Sequence, residues 1–274
     1  FAPWAFPGAE KFQSEFANPS QSEGHIETHD QWMSRLKMDV VIGLFGYSES
    51  YEGKANIANY KAELEAFIMH TLAQKYNGVS APQLAIVSPT AFENLSAKID
   101  LPNGTVQNAN MALYAQAMKE VCEKNNVLFI NAFDASKKWY AESKEDLTID
   151  GFQLNNAGYK KLSLFLADQV FGKKKPAIES KRADVYAAVE EKNWIWHTDF
   201  KIPNGVHVYG RRYNPFGPDN YPAEIEKIRQ MTDNREAAIQ ASIKGVKYDL
   251  AAADAKTRTL DPVKTNFNPD KNGS

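Results

Sequence analysis

Two short polar segments carry the side chains that could do chemistry, and they lie about a hundred residues apart. The first is Gly46 to Ser50, GYSES, which directly follows the apolar stretch DVVIGLF. The second is Asp150 to Gln153, DGFQ, followed by a leucine and two asparagines. Hydroxyls, carboxylates and amides bind polar ligands, and a serine with a histidine and an acid makes a hydrolytic triad. The pattern predicts a ligand or hydrolase site whose candidate residues are Gly46, Tyr47, Ser48, Asp150 and Gln153.

The apolar stretch before the first segment predicts a strand that positions it. Asp39 to Phe45 is rich in β-branched and apolar residues, which is typical of a central strand buried on both faces of a parallel sheet. Ligands bind at the carboxyl ends of the strands in such sheets. We therefore expect GYSES to form the floor of the site.

The remainder of residues 1–172 alternates between strand and helix patterns. Apolar residues recur at helical spacing in three segments, and two short apolar runs indicate further strands. This alternation predicts an α/β fold, a parallel sheet flanked by helices in three layers. The predicted helices are 57–76, 106–125 and 155–171, and the further strands are 83–88 and 127–131.

The character of the chain changes after Gly172, where KKKP makes a basic break that ends in proline. Beyond it we predict helices over Ser180 to Lys192 and Tyr221 to Lys244, separated by a segment dense in aromatics, glycine and proline. The chain thus divides into an α/β domain (1–172), an irregular, aromatic-rich helical appendage (173–253) and an extended tail or linker (254–274). The aromatics expected to cover the domain or a neighbour are Trp194, Trp196, Tyr209 and Phe216.

Composition excludes several function classes. The formal charge is -2, from 32 basic and 34 acidic side chains. The sequence therefore lacks the excess of positive charge that is typical of proteins that bind nucleic acid or an anionic membrane. No apolar run approaches the ~18 residues of a membrane span. The single cysteine, Cys122, lies at an apolar helix position, which predicts an inert core residue and excludes a disulfide framework. His25 and His29 lack a third ligand at a recognisable spacing, so we expect no metal and no cofactor in this chain.

Read with the strand order, the two polar segments resemble blocks three and five of the SGNH (GDSL-type) hydrolase superfamily. In that family Gly-x-Asn supplies an oxyanion donor, and Asp-x-x-His supplies the base that takes a proton from a serine in block one. The resemblance makes Asp150 the one retained triad residue, with Ser48 in place of the Asn and Gln153 in place of the His. Because glutamine cannot act as a base near pH 7, the resemblance implies a degenerate, catalytically inactive hydrolase domain.

The first block of the family, a strand followed by Gly-Asp-Ser, finds no counterpart in the sequence. No strand pattern precedes Ala9, and Ser14, Ser20 and Ser22 do not follow apolar runs. We therefore expect the domain to lack its first strand and nucleophile block, and the chain to be a processed or excised piece of something longer.

A narrower resemblance covers residues 34–243 and rests on FGYSESYEGKANIANYKAELEAFIMHTLAQKYNGVSAPQLAIVSP and NPFGPDNYPAEIEKI. These segments are similar to the SGNH-type domain of large exported proteins of planctomycetes and verrucomicrobia, which join it to haem-binding cytochrome c and dehydrogenase-like modules. The resemblance implies a periplasmic or extracellular location and such modules as partners. Since no Cys-x-x-Cys-His occurs here, any haem would belong to another segment or chain.

Three functions stay open from the sequence. The favoured one is a binding or assembly module for a carbohydrate or ester ligand. The second is an active esterase or carbohydrate deacetylase whose serine lies on a missing N-terminal segment, with His197 or His207 as base. The third is a nucleophile elbow of α/β-hydrolase type at Ser48. Against the elbow, Ser50 stands where a glycine is required, and we expect the following helix to be delayed beyond Glu52.

Overall fold

The computed structural model describes residues 29–172, 182–200 and 220–262. The described residues belong to two compact units, one containing 29–172 and the other 182–200 and 220–262. The domain boundaries drawn from the sequence stay a prediction. Several sequence predictions lie outside the described residues, namely those for Ser14, Ser20, Ser22, His25, His207, Tyr209 and Phe216.

The first unit is built on a parallel sheet with the order β1-β2-β3. Its strands are β1 (Val40–Leu44), β2 (Gln83–Val87) and β3 (Leu128–Ile130). Its helices are α1 (His29–Arg35), α2 (Tyr47–Ser50), α3 (Ile57–Ala73), α4 (Thr105–Lys124), α5 (Ala132–Glu142) and α6 (Asn156–Phe171), with a 3-10 turn at Gly53–Asn56. The predicted α/β class, with a parallel sheet flanked by helices, is confirmed.

Side chains of β2 alternate between two apolar clusters, as the twofold period of a strand requires. Leu84 and Ile86 belong to a cluster with α3 and α4. Ala85 and Val87 belong to a second cluster that includes Leu162 of α6. Helices therefore cover the sheet from both sides, in three layers.

β1 is not the central, doubly buried strand that the sequence predicts. It lies at one end of the described sheet, where Ile42 is 38% exposed and Leu44 58% exposed. Val41 and Phe45 pack against the α3–α4 cluster, whereas the described cluster on the opposite face takes its strand residues from β2 and β3. The strand that is central and buried is β2, where only Gln83 is exposed.

The predicted strands and helices of this unit agree with the structure to within a few residues, but the short helices α1 and α2 and the longer helix α5 were not predicted. Helix α5 begins after Asn131, whose side chain accepts a hydrogen bond from the Asp134 N–H at 2.9 Å. Asparagine is a favoured N-cap residue, so the signal was present. It was overlooked because Asn131 was assigned to the preceding strand.

The second unit contains α7 (Arg182–Phe200), α8 (Tyr221–Lys244) and α9 (Leu250–Asp254). α7 continues well beyond its predicted end at Lys192, so Trp194, Trp196 and His197 are helical rather than part of an irregular segment. The buried guanidinium of Arg235 pairs with Glu191 at 2.8 Å and with Asp254 at 3.0 Å. One arginine thus ties the three helices together.

Candidate functional site

A pocket of about 560 Å³ opens at the carboxyl ends of the strands. This volume lies within the ~300–1,000 Å³ typical of small-molecule sites. All three strands or the residues directly after them contribute to its wall, as expected for a parallel sheet. The polar and aromatic lining residues are Phe45, Tyr47, Ser48, Glu49, Ser88, Thr90, Phe152, Gln153 and Tyr159.

One wall of the pocket is the turn from β1 into the short helix α2. Gly46 starts this turn in the left-handed region, with φ 99°, and its N–H donates to Glu49 Oε2 at 3.1 Å. A Cβ at Gly46 would lie 3.1 Å from the Tyr60 hydroxyl oxygen and 3.2 Å from the Met118 sulfur, so both the backbone angle and the space favour glycine. The turn places Ser48 in the pocket lining.

The helix after this turn bears on the elbow hypothesis. α2 begins at Tyr47 but is a single turn that ends at Ser50, and the long helix α3 begins only at Ile57, so the delay expected beyond Glu52 applies to α3 and not to α2. A nucleophile elbow, however, holds its serine on a sharp, strained turn. Among the described non-glycine residues only Lys37 and Asn126 have a positive φ, so Ser48 carries no such strain. The backbone at Ser48 is that of an ordinary helical turn.

A second wall of the pocket is the turn that presents Gln153. The Asp150 carboxylate accepts hydrogen bonds from the N–H groups of Phe152, at 3.0 Å, and of Gln153, at 2.6 Å. The Ile149 N–H closes the turn by donating to the Gln153 carbonyl at 2.9 Å. These bonds place Gln153 in the lining, while Asp150 shapes the turn and is not among the lining residues. A catalytic role for Asp150 stays a prediction.

The two walls meet in a stack between Tyr47 and Phe152, with ring centroids 3.2 Å apart and an interplanar angle of 11°. The Tyr47 hydroxyl also lies 2.9 Å from the hydroxyl of Tyr51. Burial, then the hydrogen bond and proximity of Tyr51, then the charge of Asp150 raise the pKa of Tyr47 above its usual value. Tyr47 is therefore a neutral phenol at physiological pH.

Residues at the end of β2 also belong to the site, and the sequence reasoning missed them. Ser88 is 2% exposed, and its Oγ accepts from the Phe133 N–H at 2.9 Å and donates to the Pro89 carbonyl at 3.2 Å. Its hydroxyl thus holds the backbone behind the pocket. The signal for Ser88 and Thr90 was available, because they follow a second parallel strand whose end must share an edge with β1.

The described histidines are His29, His70 and His197, and neither they nor Cys122 belong to the pocket lining. No described residue that lines the pocket is a histidine or a cysteine. Burial lowers the pKa of His29, on α1, against the opposing effect of Asp30. Cys122 is fully buried on α4, which confirms its predicted core position, and burial raises the pKa of its thiol to about 12.

The described ranges contain no group of three or more His, Cys, Asp or Glu side chains that could hold a metal ion. None of their helices has the length and apolar character that crossing a membrane requires.

No protein-family model matches the chain, and a search of curated proteins finds no match. Among solved structures, it is similar to a catalytic mutant of Axe2, an acetylxylan esterase from Geobacillus stearothermophilus, at 16% identity and a TM-score of 0.39, covering 49% of this chain and 60% of that one. A second Axe2 mutant, an acetyl-xylooligosaccharide esterase, matches at 16% identity and a TM-score of 0.39, covering 50% and 61%. The match thus spans less than two thirds of the esterase chains, and likeness at this level assigns no activity.

Proposed function

We propose that the first unit binds a neutral, hydroxyl-bearing ligand, a carbohydrate or its ester, in this pocket and does not cleave it. One observation carries the proposal. Ser48 and Gln153 line the same pocket, and the described lining that surrounds them contains no histidine.

The polar groups of the lining suit such a ligand. The Gln153 amide offers two donors and an acceptor, and the Ser48 hydroxyl offers one donor and accepts as well. Sugar hydroxyls and ester carbonyls are complementary to these neutral groups. Tyr159 lines the pocket and is 59% exposed. Its ring adds an apolar surface, and its hydroxyl adds a polar group at the end of that surface.

Hydrolysis needs more than these groups supply. A serine hydroxyl becomes a nucleophile when a base next to it takes its proton, and an amide side chain cannot take that proton near pH 7. The one carboxylate among the described lining residues is Glu49, and it accepts a hydrogen bond from the Gly46 N–H that stabilises the turn. The neutral amide of Gln153 therefore suits retention of a ligand rather than its cleavage.

On the strength of the sequence resemblance alone, we extend the proposal to the setting of the protein. The unit would act in a periplasmic or extracellular assembly, beside cytochrome c or dehydrogenase-like modules that carry any haem. Purification of the native protein with its associated chains, followed by haem absorbance spectroscopy, tests this extension independently of ligand binding.

Binding is tested by calorimetric titration of the full chain with xylotetraose, cellotetraose and their O-acetylated forms. Loss of a hydrogen-bonding group in the site should weaken binding about tenfold, so we expect that effect for Gln153→Ala. Gln116→Ala is the matched control, because Gln116 is exposed on α4 and bonds to Glu120. Equal affinity for Gln153→Ala and the wild type, or no binding of any of these sugars, would contradict the proposal.

The absence of cleavage is tested on the same preparation with p-nitrophenyl acetate and a fluorophosphonate probe. We expect no turnover and no serine adduct by mass spectrometry. An adduct at Ser48 would establish the nucleophile elbow. Turnover with an adduct at any other serine would show an esterase whose nucleophile lies outside the described pocket.

A further inference from the structure

Glu93 is an acidic residue that the pocket lining does not include, yet it is only 7% exposed. Its carboxylate accepts hydrogen bonds from the Leu147 N–H at 3.1 Å, the Thr148 N–H at 2.8 Å and the Thr148 hydroxyl at 2.6 Å. A buried carboxylate is costly unless donors surround it. Here the donors come from one short segment, which leads directly into the turn that carries Gln153.

A second set of contacts connects the same two segments. The Glu93 N–H donates to the Gly151 carbonyl at 2.7 Å, and the Gly151 N–H donates to the Thr148 hydroxyl oxygen at 3.1 Å. Thr148 also forms an antiparallel bridge with Leu154. The turn is therefore attached to Glu93 at its base, through Thr148, and at its tip, through Gly151.

We propose that Glu93 is a positioning residue for the ligand site, and that its carboxylate fixes the turn from which Gln153 enters the pocket. This role rests on the proposed function, since it concerns the same pocket. Glu93 acts through Thr148 and Gly151 and does not itself contact the ligand. The side chains it organises are Gln153 and, through Phe152, the aromatic stack with Tyr47.

The contacts around Glu93 require a carboxylate rather than an amide. An ionised carboxylate is an acceptor only, and every hydrogen bond recorded at its oxygens comes from an N–H or O–H donor. In Glu93→Gln, the amide NH₂ group would replace one of these oxygens. In place of Oε1 it would face the Leu147 N–H at 3.2 Å, and in place of Oε2 it would face both donors of Thr148, so either orientation sets a donor against a donor. The substitution keeps the size of the side chain and therefore tests its acceptor capacity.

The test uses the full 274-residue chain with hydrogen exchange and ¹⁵N NMR of side-chain amides. In Glu93→Gln we expect amide exchange over residues 147–153 to accelerate roughly 10- to 100-fold, as for a lost hydrogen bond to a charged group. The Gln153 side-chain amide signals should move and broaden, because the turn no longer holds one geometry. Residues of β2 should keep the exchange rates of the wild type.

A second pair of variants keeps the proposal testable if Glu93→Gln fails to fold. Thr148→Val removes the hydroxyl that bridges Glu93 and Gly151, and Thr148→Ser restores it, so the serine variant should recover the Gln153 signals. Thr71→Val is the control, because it makes the same change at a threonine that is fully buried on α3. It should leave the turn unchanged.

Two results would overturn the proposal. One is an unchanged Gln153 signal and unchanged exchange over 147–153 in both Glu93→Gln and Thr148→Val. The other is acceleration spread equally over β2 and the turn, which would show a general loss of stability. Neither readout requires a ligand. A failure of the proposed function, seen as absent sugar binding, is therefore distinguishable from a failure of the positioning role of Glu93.

Discussion

Tyr47 and Phe152 stack almost in parallel, with an angle of 11° between their rings, although they belong to segments far apart in the sequence. Tyr47 begins the helix that follows β1, and Phe152 lies in the turn before α6. The stack joins the Ser48 wall of the pocket to the Gln153 wall. The two polar segments that stood out in the sequence therefore form one site, and an aromatic contact holds them together.

The stack predicts an energetic coupling between the two rings. In a double-mutant cycle with Tyr47→Leu, Phe152→Leu and the double variant, we expect a coupling of about 1 kcal/mol in the free energy of unfolding, as for other aromatic pairs. Urea denaturation measures all four proteins. Strict additivity of the two single losses would mean that the rings do not stabilise each other.

Asp150 should matter for the turn rather than for proton transfer. Asparagine keeps a side-chain oxygen that can accept from the Phe152 and Gln153 N–H groups, so Asp150→Asn should stay within about 0.5 kcal/mol of the wild type in unfolding free energy. Alanine loses both bonds, and we expect Asp150→Ala to cost about 1 kcal/mol. Thermal or urea unfolding of the pair checks this order. Equal losses for the two variants would contradict the turn role.

Gly151 has two reasons to be glycine, and a matched pair of variants separates them. Gly151 and Gly78 have similar positive φ values, 86° and 79°. A Cβ on Gly151 would collide with the Phe92 ring, whereas nothing lies within 4 Å of one on Gly78. Gly78→Ala should cost about 1 kcal/mol from backbone strain alone, and Gly151→Ala at least about 1 kcal/mol more from the collision. Similar losses in urea denaturation would show that Phe92 moves aside freely.

Much of the first unit could be predicted from the sequence, because local patterns determine its elements. The helical stripe beginning at Ile57 and the turn before Asn155 were found from spacing and residue type. The position of β1 in the sheet could not be predicted, because an apolar run such as VVIGL does not show which faces of the strand a helix will cover. That depends on where α6 packs, which only the tertiary structure decides.

Part of the candidate site could likewise be predicted from the sequence, and part could not. Ser48 was found because it follows a recognisable strand pattern, and Gln153 because its segment resembles a hydrolase motif, whereas Glu93 was not found. Its partners, Leu147 and Thr148, are more than 50 residues away, and a single glutamate in a loop has no local pattern that marks it as buried. Long-range polar contacts of this kind are visible only in three dimensions.

The raised pKa of Tyr47 predicts sensitivity to alkaline pH. Above the ordinary value of 10.0, unfolded chains lose the phenolic proton while folded chains keep it, so ionisation favours unfolding and stability falls as pH rises. Tyr47→Phe keeps the stack and removes the ionisable group. We expect the unfolding free energy of this variant to fall less steeply between pH 9 and pH 11. An unchanged slope in urea denaturation would show that Tyr47 is not protected from ionisation.

Whether the site retains a ligand or cleaves it can be seen in one sample. ¹⁵N-labelled full-length chain is mixed with O-acetylated xylotetraose, and NMR follows the protein amides and free acetate together. We expect shifts of the Ser48 and Gln153 backbone signals and of the Gln153 side-chain amide, with no acetate released. Release of acetate at a rate proportional to protein concentration, or an unshifted Gln153 side chain at saturating sugar, would contradict the proposed function.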